Sequence, residues 1–421
     1  MKKILFVLIT SILFFCNQLV GQDFAGGIVE EDKQLEKIRI NFWHFWSDPV
    51  RKQKVYSLIA EFEQMNPETE IVPTELSWST GFEEIVSAFE QNYPLDVVEL
   101  GADMVCNIYT SGFLKDITND VEDIKDSFIE TSLIPVVYDG RIYGLPWVID
   151  TRIIFYNKEL LKQAGVDINK PIETWQEFFD AVKKVHNIKP RVYGFGMNSY
   201  ERHVIHKKIF PFIWTNKGEI LSEDNKKCVI NSKQNVEALK FYYSLKPYSL
   251  VTSQNEIDTA FCEGRVGFCI SGSWLFSRIK KDYPKLNFGV MLIPKPDKDY
   301  TSISILGGEY LVVNKNTQNY EQALKFIKFM AQRSEELCSE LRMFLPPLKN
   351  VDLRNIPWFT PAYTEVTYQQ LYNSKFVPKI PNWIEVKDII EYELGQIIND
   401  KKSVEQGLKD IQDSVNKILK K

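Results

Sequence analysis

The chain has 421 residues, of which 44% are hydrophobic and 25% charged, and its formal net charge is -5 at pH 7. A mildly acidic chain carries neither the electrostatic footprint of a nucleic-acid binder nor the polybasic patch of a membrane-surface binder. Its length suits two or three domains of about 150 residues with well-buried cores.

At the N-terminus, Lys2 and Lys3 precede an apolar run from Ile4 to Leu8, and apolar character resumes after Ser11 through Phe15. This is a charged n-region followed by a short h-region. The run is too short to span a bilayer as a mature helix, and no later stretch is long and apolar enough for one. Gly21, with Leu19 two positions before it, gives a cleavage point that makes residues 1–21 a signal peptide. Removing them takes two lysines and no acid, and moves the formal charge from -5 to -7. Cys16 opens an alternative, the lipidated first residue of a lipoprotein, although Phe15 stands where such signals place a small side chain. The chain is therefore expected to be exported, to the periplasm or the extracellular face of a membrane, with a lipid anchor at Cys16 as the alternative.

Five cysteines follow, at 106, 228, 262, 269 and 338, with no C-x-x-C pair. An odd number cannot all pair, and a dense disulfide framework is not expected at this size. Cys262 and Cys269 could bridge across a turn; buried free thiols are the expectation for most of the five.

Residues 38–43 alternate as a strand. Residues 49–65 place Val55, Leu58, Ile59, Phe62 and Met65 on one helical face, with Pro49 at the start. A strand over 70–76, a helix over 81–91 and a strand over 95–100 continue the pattern. Such alternation predicts an α/β domain with a largely parallel sheet, whose binding sites lie outside the strand carboxyl ends. Those ends lead into Trp43–Ser47, Ser77–Thr80 and Glu99–Asp103. Asp139-Gly140 between the apolar runs Ile134–Tyr138 and Arg141–Leu145 predicts a hairpin. A second α/β region follows. Thr174 and Glu177 form a capping box, Asn319 caps a helix with Ala323, Leu324, Ile327 and Met330 on its buried face, and Asn382 and Ser403 start two final helices. No internal repeat and no flexible linker divides the halves, so the chain is expected to cross between lobes more than once.

The run Tyr138-Asp139-Gly140-Arg141-Ile142-Tyr143-Gly144-Leu145-Pro146, continuing to Tyr156-Asn157-Lys158-Glu159-Leu160, resembles the centre of the extracellular solute-binding proteins of ABC importers. It is similar in particular to their sugar-binding, maltose-binding-protein-like group. Asp96-Val97-Val98, the Pro211–Trp214 stretch with Gly218-Glu219-Ile220, the stretch Ala260–Phe268 with Ser271–Trp274, and Gly307-Gly308-Glu309 extend the resemblance over nearly all of 38–419. The resemblance implies a two-lobed periplasmic-binding-protein fold with several hinge crossings and an interlobe ligand cleft. Lobe 1 would hold 37–145 plus 305–340, and lobe 2 would hold 146–304 plus 341–421. It also implies capture of a small polar ligand, a mono- or oligosaccharide, by hinge bending, and delivery to an ABC permease in the membrane. No cofactor, no metal and no nucleic acid are implied, and the chain is expected to act as a monomer.

A pyranose has apolar faces and a hydroxyl rim, so flat rings and carboxylate or guanidinium groups suit it. Trp46, Trp78, Trp147, Trp214 and Trp274 lie near loop ends, and Glu99, Asp103, Asp150, Arg152 and Glu309 lie in loops of the same kind. The resemblance places Trp78, Trp147, Trp214 and Trp274 at the cleft. Each has a plainer reading. A Trp is more often packing than platform, as is expected of Trp43, Trp175 and Trp383. Glu99 or Asp103 could cap a helix. Asp150 and Arg152 could form an ion pair near the hinge. Ser273 could bind, or make a turn with Gly272, and Gly308 and Glu309 could serve the hinge. His203 and His206 have no carboxylate or Cys nearby to complete a metal set and are expected to be solvated. Of other functions, a carbohydrate hydrolase with two carboxylates is the main rival, though nothing singles out a pair. The same fold binding a polyamine or another small solute is a further alternative.

Overall fold

The structure is a computed structural model that describes residues 37–199, 201, 204–351 and 360–420. The expected signal peptide, Cys16 and His203 lie outside the described residues.

The first half forms as the periodicity dictates. Strand Ile38–His44 (β1) is followed by helix Pro49–Met65 (α1), whose first-turn Arg51 N–H is capped by Asp48 at 3.1 Å. Strand Thr69–Glu75 (β2), helix Gly81–Glu90 (α2), strand Val97–Gly101 (β3) and helix Ala102–Thr110 (α3) complete the alternation. A single turn, Glu130–Leu133 (α4), leads to the hairpin Val137–Tyr138 (β4) and Arg141–Ile142 (β5). Asp139 and Gly140 both have positive φ, 50° and 72°, the geometry of a tight two-residue hairpin turn. The hairpin is shorter than expected: Ile134–Val136 is a 3-10 turn, because Pro135 has no N–H to give a ladder, and Leu145 opens the next strand instead.

That strand, Leu145–Thr151 (β6), passes through Arg152 directly into Ile153–Asn157 (β7). Then come Lys158–Gln163 (α5), Trp175–His186 (α6), Tyr193–Asn198 (β8), Ile205–Thr215 (α7) and Lys233–Ser244 (α8). The capping box of Thr174 and Glu177 is present on α6. Ser249–Thr252 (β9), Gln254–Cys262 (α9), Val266–Ser271 (β10), Ser273–Asp282 (α10) and Phe288–Met291 (β11) follow. The long strand Ser304–Val313 (β12) leads to Tyr320–Gln332 (α11), Ser334–Leu341 (α12), Pro361–Tyr372 (α13), Ser374–Lys375 (β13), Trp383–Ile398 (α14) and Val404–Ile418 (α15). Ser403 caps α15 through the Gln406 N–H. Asn319 precedes α11 without capping it through its side chain, which donates instead to the Arg39 carbonyl and ties the helix to β1. Asn382 likewise makes no side-chain cap.

Two sheets result. In the first, β2, β1 and β3 run parallel, and β12 pairs antiparallel with both β3 and β6. In the second the order is β11-β7-β10-β8-β9, with β7 antiparallel to its two neighbours. Helices cover both faces of each, as a buried parallel sheet requires. Along β12, Ile305 and Leu306 belong to apolar cores built on the second sheet, whereas Tyr310–Val313 alternate between the two cores of the first. Along β6, Trp147 and Val148 join a first-sheet core and Ile149 a second-sheet core. A third connection lies beside these: Leu345 and Ile149 exchange both backbone hydrogen bonds at 2.9 Å. The molecule is thus a two-lobed α/β structure whose chain passes between lobes on three adjacent segments. The five cysteines after Cys16 are buried free thiols, with no bridge between Cys262 and Cys269. Among the described residues no helix is long and apolar enough to cross a membrane.

Candidate ligand-binding cleft

The strand ends, helix starts and crossing segments meet around a cleft of about 460 Å³. From the first sheet come Trp78, Arg51 at the start of α1, and the β3–α3 junction from Gly101 to Met104. From the second come His206 and Lys207 in the first turn of α7, and Trp274 in the first turn of α10. The crossings contribute Asp150, Arg152, Ile305–Glu309, Met343 and Phe344. A larger groove of about 680 Å³, lined by residues such as Tyr156, Ile168, Lys170 and Met291, lies on the second lobe alone and receives no side chain from the first sheet.

Two aromatic faces reach the cleft from opposite sides. Trp78 is 41% exposed and stacks on Phe45, with ring centroids 4.2 Å apart, so one face is backed and the other open. Trp274 is held by its indole N–H, which donates to Asp258 at 2.8 Å, and the Arg152 guanidinium lies 4.6 Å from its ring centroid. Asp258 is fixed in turn by Gln254 at 2.8 Å and Ser271 at 3.2 Å. Trp274 can fold back against the loop only because residue 272 is glycine: a Cβ there would lie 2.2 Å from the ring.

The charged groups are tightly coupled. Asp103 accepts a hydrogen bond from Lys387 of α14 at 2.9 Å. Burial alone would raise its carboxyl, but the charges of Lys387 and Lys207 outweigh burial and hold it far below the usual carboxylate range. Asp150 pairs with Arg152 at 2.7 Å and also approaches the Ser273 N–H at 3.4 Å. At the floor, the Trp46 indole donates to Glu309, and Glu99 accepts from the Phe45 N–H at 2.7 Å. Burial pushes Glu309 up to about 7, against the lowering effects of Arg51 and Trp46. Burial and the neighbouring Glu309 charge push Glu99 well up too, so the two carboxyl groups are not both ionised near neutral pH. His206 is buried, with Nδ1 2.6 Å from Glu391, and burial depresses its basicity despite that carboxylate. Its Nε2 has no partner among the described residues.

Of the expected site residues, Trp78, Asp103, Asp150, Arg152, Trp274, Gly308 and Glu309 come together in this one cleft. The rest do not line it. Trp46 and Trp147 are fully buried and stack on each other with centroids 4.2 Å apart, beneath the floor. Their large apolar surfaces are consumed by the first-lobe core. Trp214 is buried against Phe210 and faces a different groove, with Glu219 and Ile220. It sits about 11 Å along α7 from the His206 and Lys207 that reach the cleft, at 1.5 Å per residue. Glu99 is wholly buried behind Glu309, and the Ser273 hydroxyl is occupied in accepting the Phe344 N–H at 2.9 Å. His206 is buried in the site rather than solvated. No group of His, Cys, Asp and Glu among the described residues could hold a metal ion. Arg51, His206, Lys207, Met343 and Phe344 are cleft residues that the sequence did not mark, since each sits one or two positions from an ordinary helix start or in an irregular crossing.

The chain belongs to the family of bacterial extracellular solute-binding proteins, whose family model matches residues 57–365. It is 27% identical over 374 residues to a binding protein of Brucella abortus, covering 86% of this chain and 88% of that one. It is 26% identical over 423 residues to the sn-glycerol-3-phosphate-binding periplasmic protein UgpB of Escherichia coli, covering 91% and 92%. Its fold matches an ABC transporter solute-binding protein from Thermotoga lettingae bound with α-D-tagatose, with a TM-score of 0.79, 23% identity, and coverage of 90% and 99%.

Proposed function

We propose that this member of the family captures a hydroxyl-rich solute, a sugar or a sugar-like polyol, in the cleft between its lobes and delivers it to an ABC permease. One observation carries the reading: Trp78 and Trp274 line, from opposite lobes, a largely apolar cleft in which Arg51, Asp103, Asp150, Arg152, Lys207 and Glu309 supply a few charged groups. Such faces stack on the C–H surfaces of a ring, while Asp103, Asp150, Glu309 and the His206 Nε2 accept from hydroxyls and Arg51 and Arg152 donate. The relatives' solutes, a ketose and a glycerol phosphate, fall in the same chemical range. Lobe 1 comprises about 37–145 and 305–340 and lobe 2 the remainder, hinged where 148–153, 304–309 and 343–345 run side by side. The lobes close on the solute by bending there. The chain acts outside the cytoplasm as a monomer and binds without turnover. Glu99 and Glu309, the closest approach to a catalytic carboxyl pair, are committed to Phe45 and Trp46.

A thermal-shift screen of sugars, oligosaccharides, polyol phosphates, polyamines and amino acids tests this. A solute that binds only the folded state adds about 2.7 kcal/mol of stability at a hundred times its Kd. At least one hydroxyl-rich member is expected to raise the Tm, and to lose that effect in Trp78→Ala or Trp274→Ala. Stabilisation by amines alone, or release of reducing ends from an oligosaccharide, would contradict the proposal.

A further inference from the structure

We infer that the solute carries an anionic group, a carboxylate or a phosphate, on its hydroxyl-bearing skeleton, and that Lys207 is the residue that recognises it. The inference rests on the reading of the cleft as a solute site and adds a charge to it.

The observation is an imbalance of partners. Among the described residues, every carboxylate on the cleft wall already has a protein donor: Asp103 has Lys387, Asp150 has Arg152, and Glu309 has the Trp46 indole. The cations are not matched in the same way. The Lys207 ammonium has no carboxylate or carbonyl within hydrogen-bond distance among the described residues, and the two carboxylates whose charges reach it are engaged elsewhere, Asp103 with Lys387 and Glu391 with His206. Arg51 bonds Asp48 through its Nε and also lines the cleft. Arg152 is 9% exposed, and its Nε has no acceptor. A half-buried ammonium that lines a cleft without a carboxylate partner suits an anion, which it would hold through charge-assisted hydrogen bonds.

The backbone points the same way. Two helices begin at the cleft wall without a side-chain cap. α3 starts after Gly101 and already carries Asp103 in its first turn, whereas α7 starts after Val204 with no acid in its first turn, the turn that carries Lys207. Uncapped N–H groups and the positive end of the helix dipole favour negative charge at that spot. Across the cleft, Glu99 and Glu309 do not oppose an anion with two full charges, since burial keeps them from ionising together. A neutral sugar would leave Lys207 unmatched, whereas one carboxylate or phosphate matches it.

Titration calorimetry with matched solutes tests the inference: glucose against gluconate and glucuronate, and glycerol against glycerol 3-phosphate. At least one anionic member is expected to bind about tenfold or more tighter than its neutral partner, the worth of one charge-assisted hydrogen bond. That advantage should shrink as salt is raised. Lys207→Met should remove it, and Lys207→Arg should retain most of it. Should Lys207→Met fold poorly, Lys207→Gln serves in its place. The two anion arms separate a carboxylate from a phosphate preference. If neutral sugars bind as tightly as their anionic partners, or if Lys207→Met binds the anion as well as wild type does, the inference is wrong and the solute site stands. If neither these nor any oligosaccharide binds, both readings fall.

Discussion

A tryptophan near a strand end can be a platform or a core residue, and this protein uses the residue both ways within one neighbourhood. Trp274 lines the cleft beside Arg152 and is anchored by its indole N–H to Asp258, so its loss removes contact area from the ligand. Trp147 is fully buried in a stack with Trp46, and its loss opens a cavity under the floor. Trp147→Ala is therefore expected to cost about 3–5 kcal/mol in chemical denaturation, the usual range for a buried Trp. Trp274→Ala should cost much less stability and weaken solute binding by about tenfold or more. A Trp147→Ala protein as stable as wild type would contradict the packing described here. The sequence could not separate these two cases. Both residues lie in apolar surroundings at loop ends, and only the pairing of β6 with β12 decides that Trp147 turns into the core. The charged members were more legible: Asp103 reaches the cleft just past the carboxyl end of β3, and Asp150, Arg152 and Glu309 reach it from the crossing segments, whereas Glu99 stays buried. Lys207 carried no motif, and His206, expected to be solvated, is buried at the start of α7.

At the level of elements, most boundaries follow from local signals: Pro49 after Asp48, the Thr174–Glu177 box, Ser403, and the Asp139-Gly140 turn all act as their chemistry dictates. Where local signals failed, a tertiary partner had taken the group, as the Arg39 carbonyl takes the Asn319 side chain. The least legible element is the most consequential. β12 carries the passage from one lobe to the other, and its register shifts between Glu309 and Tyr310. Just before the shift, Gly308 has φ +144°, and a Cβ there would lie 2.5 Å from the Val148 carbonyl oxygen. Neighbouring Gly307 has room, with 3.5 Å to the nearest atom, the Asp150 carbonyl oxygen. Gly308→Ala is expected to destabilise by about 1–3 kcal/mol, the cost of forced backbone strain, while Gly307→Ala should be close to neutral. Denaturant titration of both variants checks this, and equal effects would contradict the assignment of the strain to residue 308.

For the whole molecule, the arrangement of parts explains why binding and motion belong together. The two sheets carry largely separate apolar cores, the arrangement that hinge bending requires. The segments that join them are few, adjacent and directly bonded to each other, and the cleft opens beside them. A solute touching Trp78 on one lobe and Trp274 on the other favours whichever relative position lets it touch both, and so shifts the population toward closure. The two-lobed plan itself was legible from the strand–helix rhythm and the family resemblance. The volume and charge of the cleft were not, because they depend on crossings whose side chains meet only in three dimensions. The most direct test of the account is small-angle X-ray scattering of the exported chain, free and saturated with the solute that raises its Tm most. The account predicts a smaller radius of gyration in the complex, with the change abolished in a Trp78→Ala, Trp274→Ala double variant at the same solute concentration. Saturating binding with an unchanged radius of gyration would contradict it.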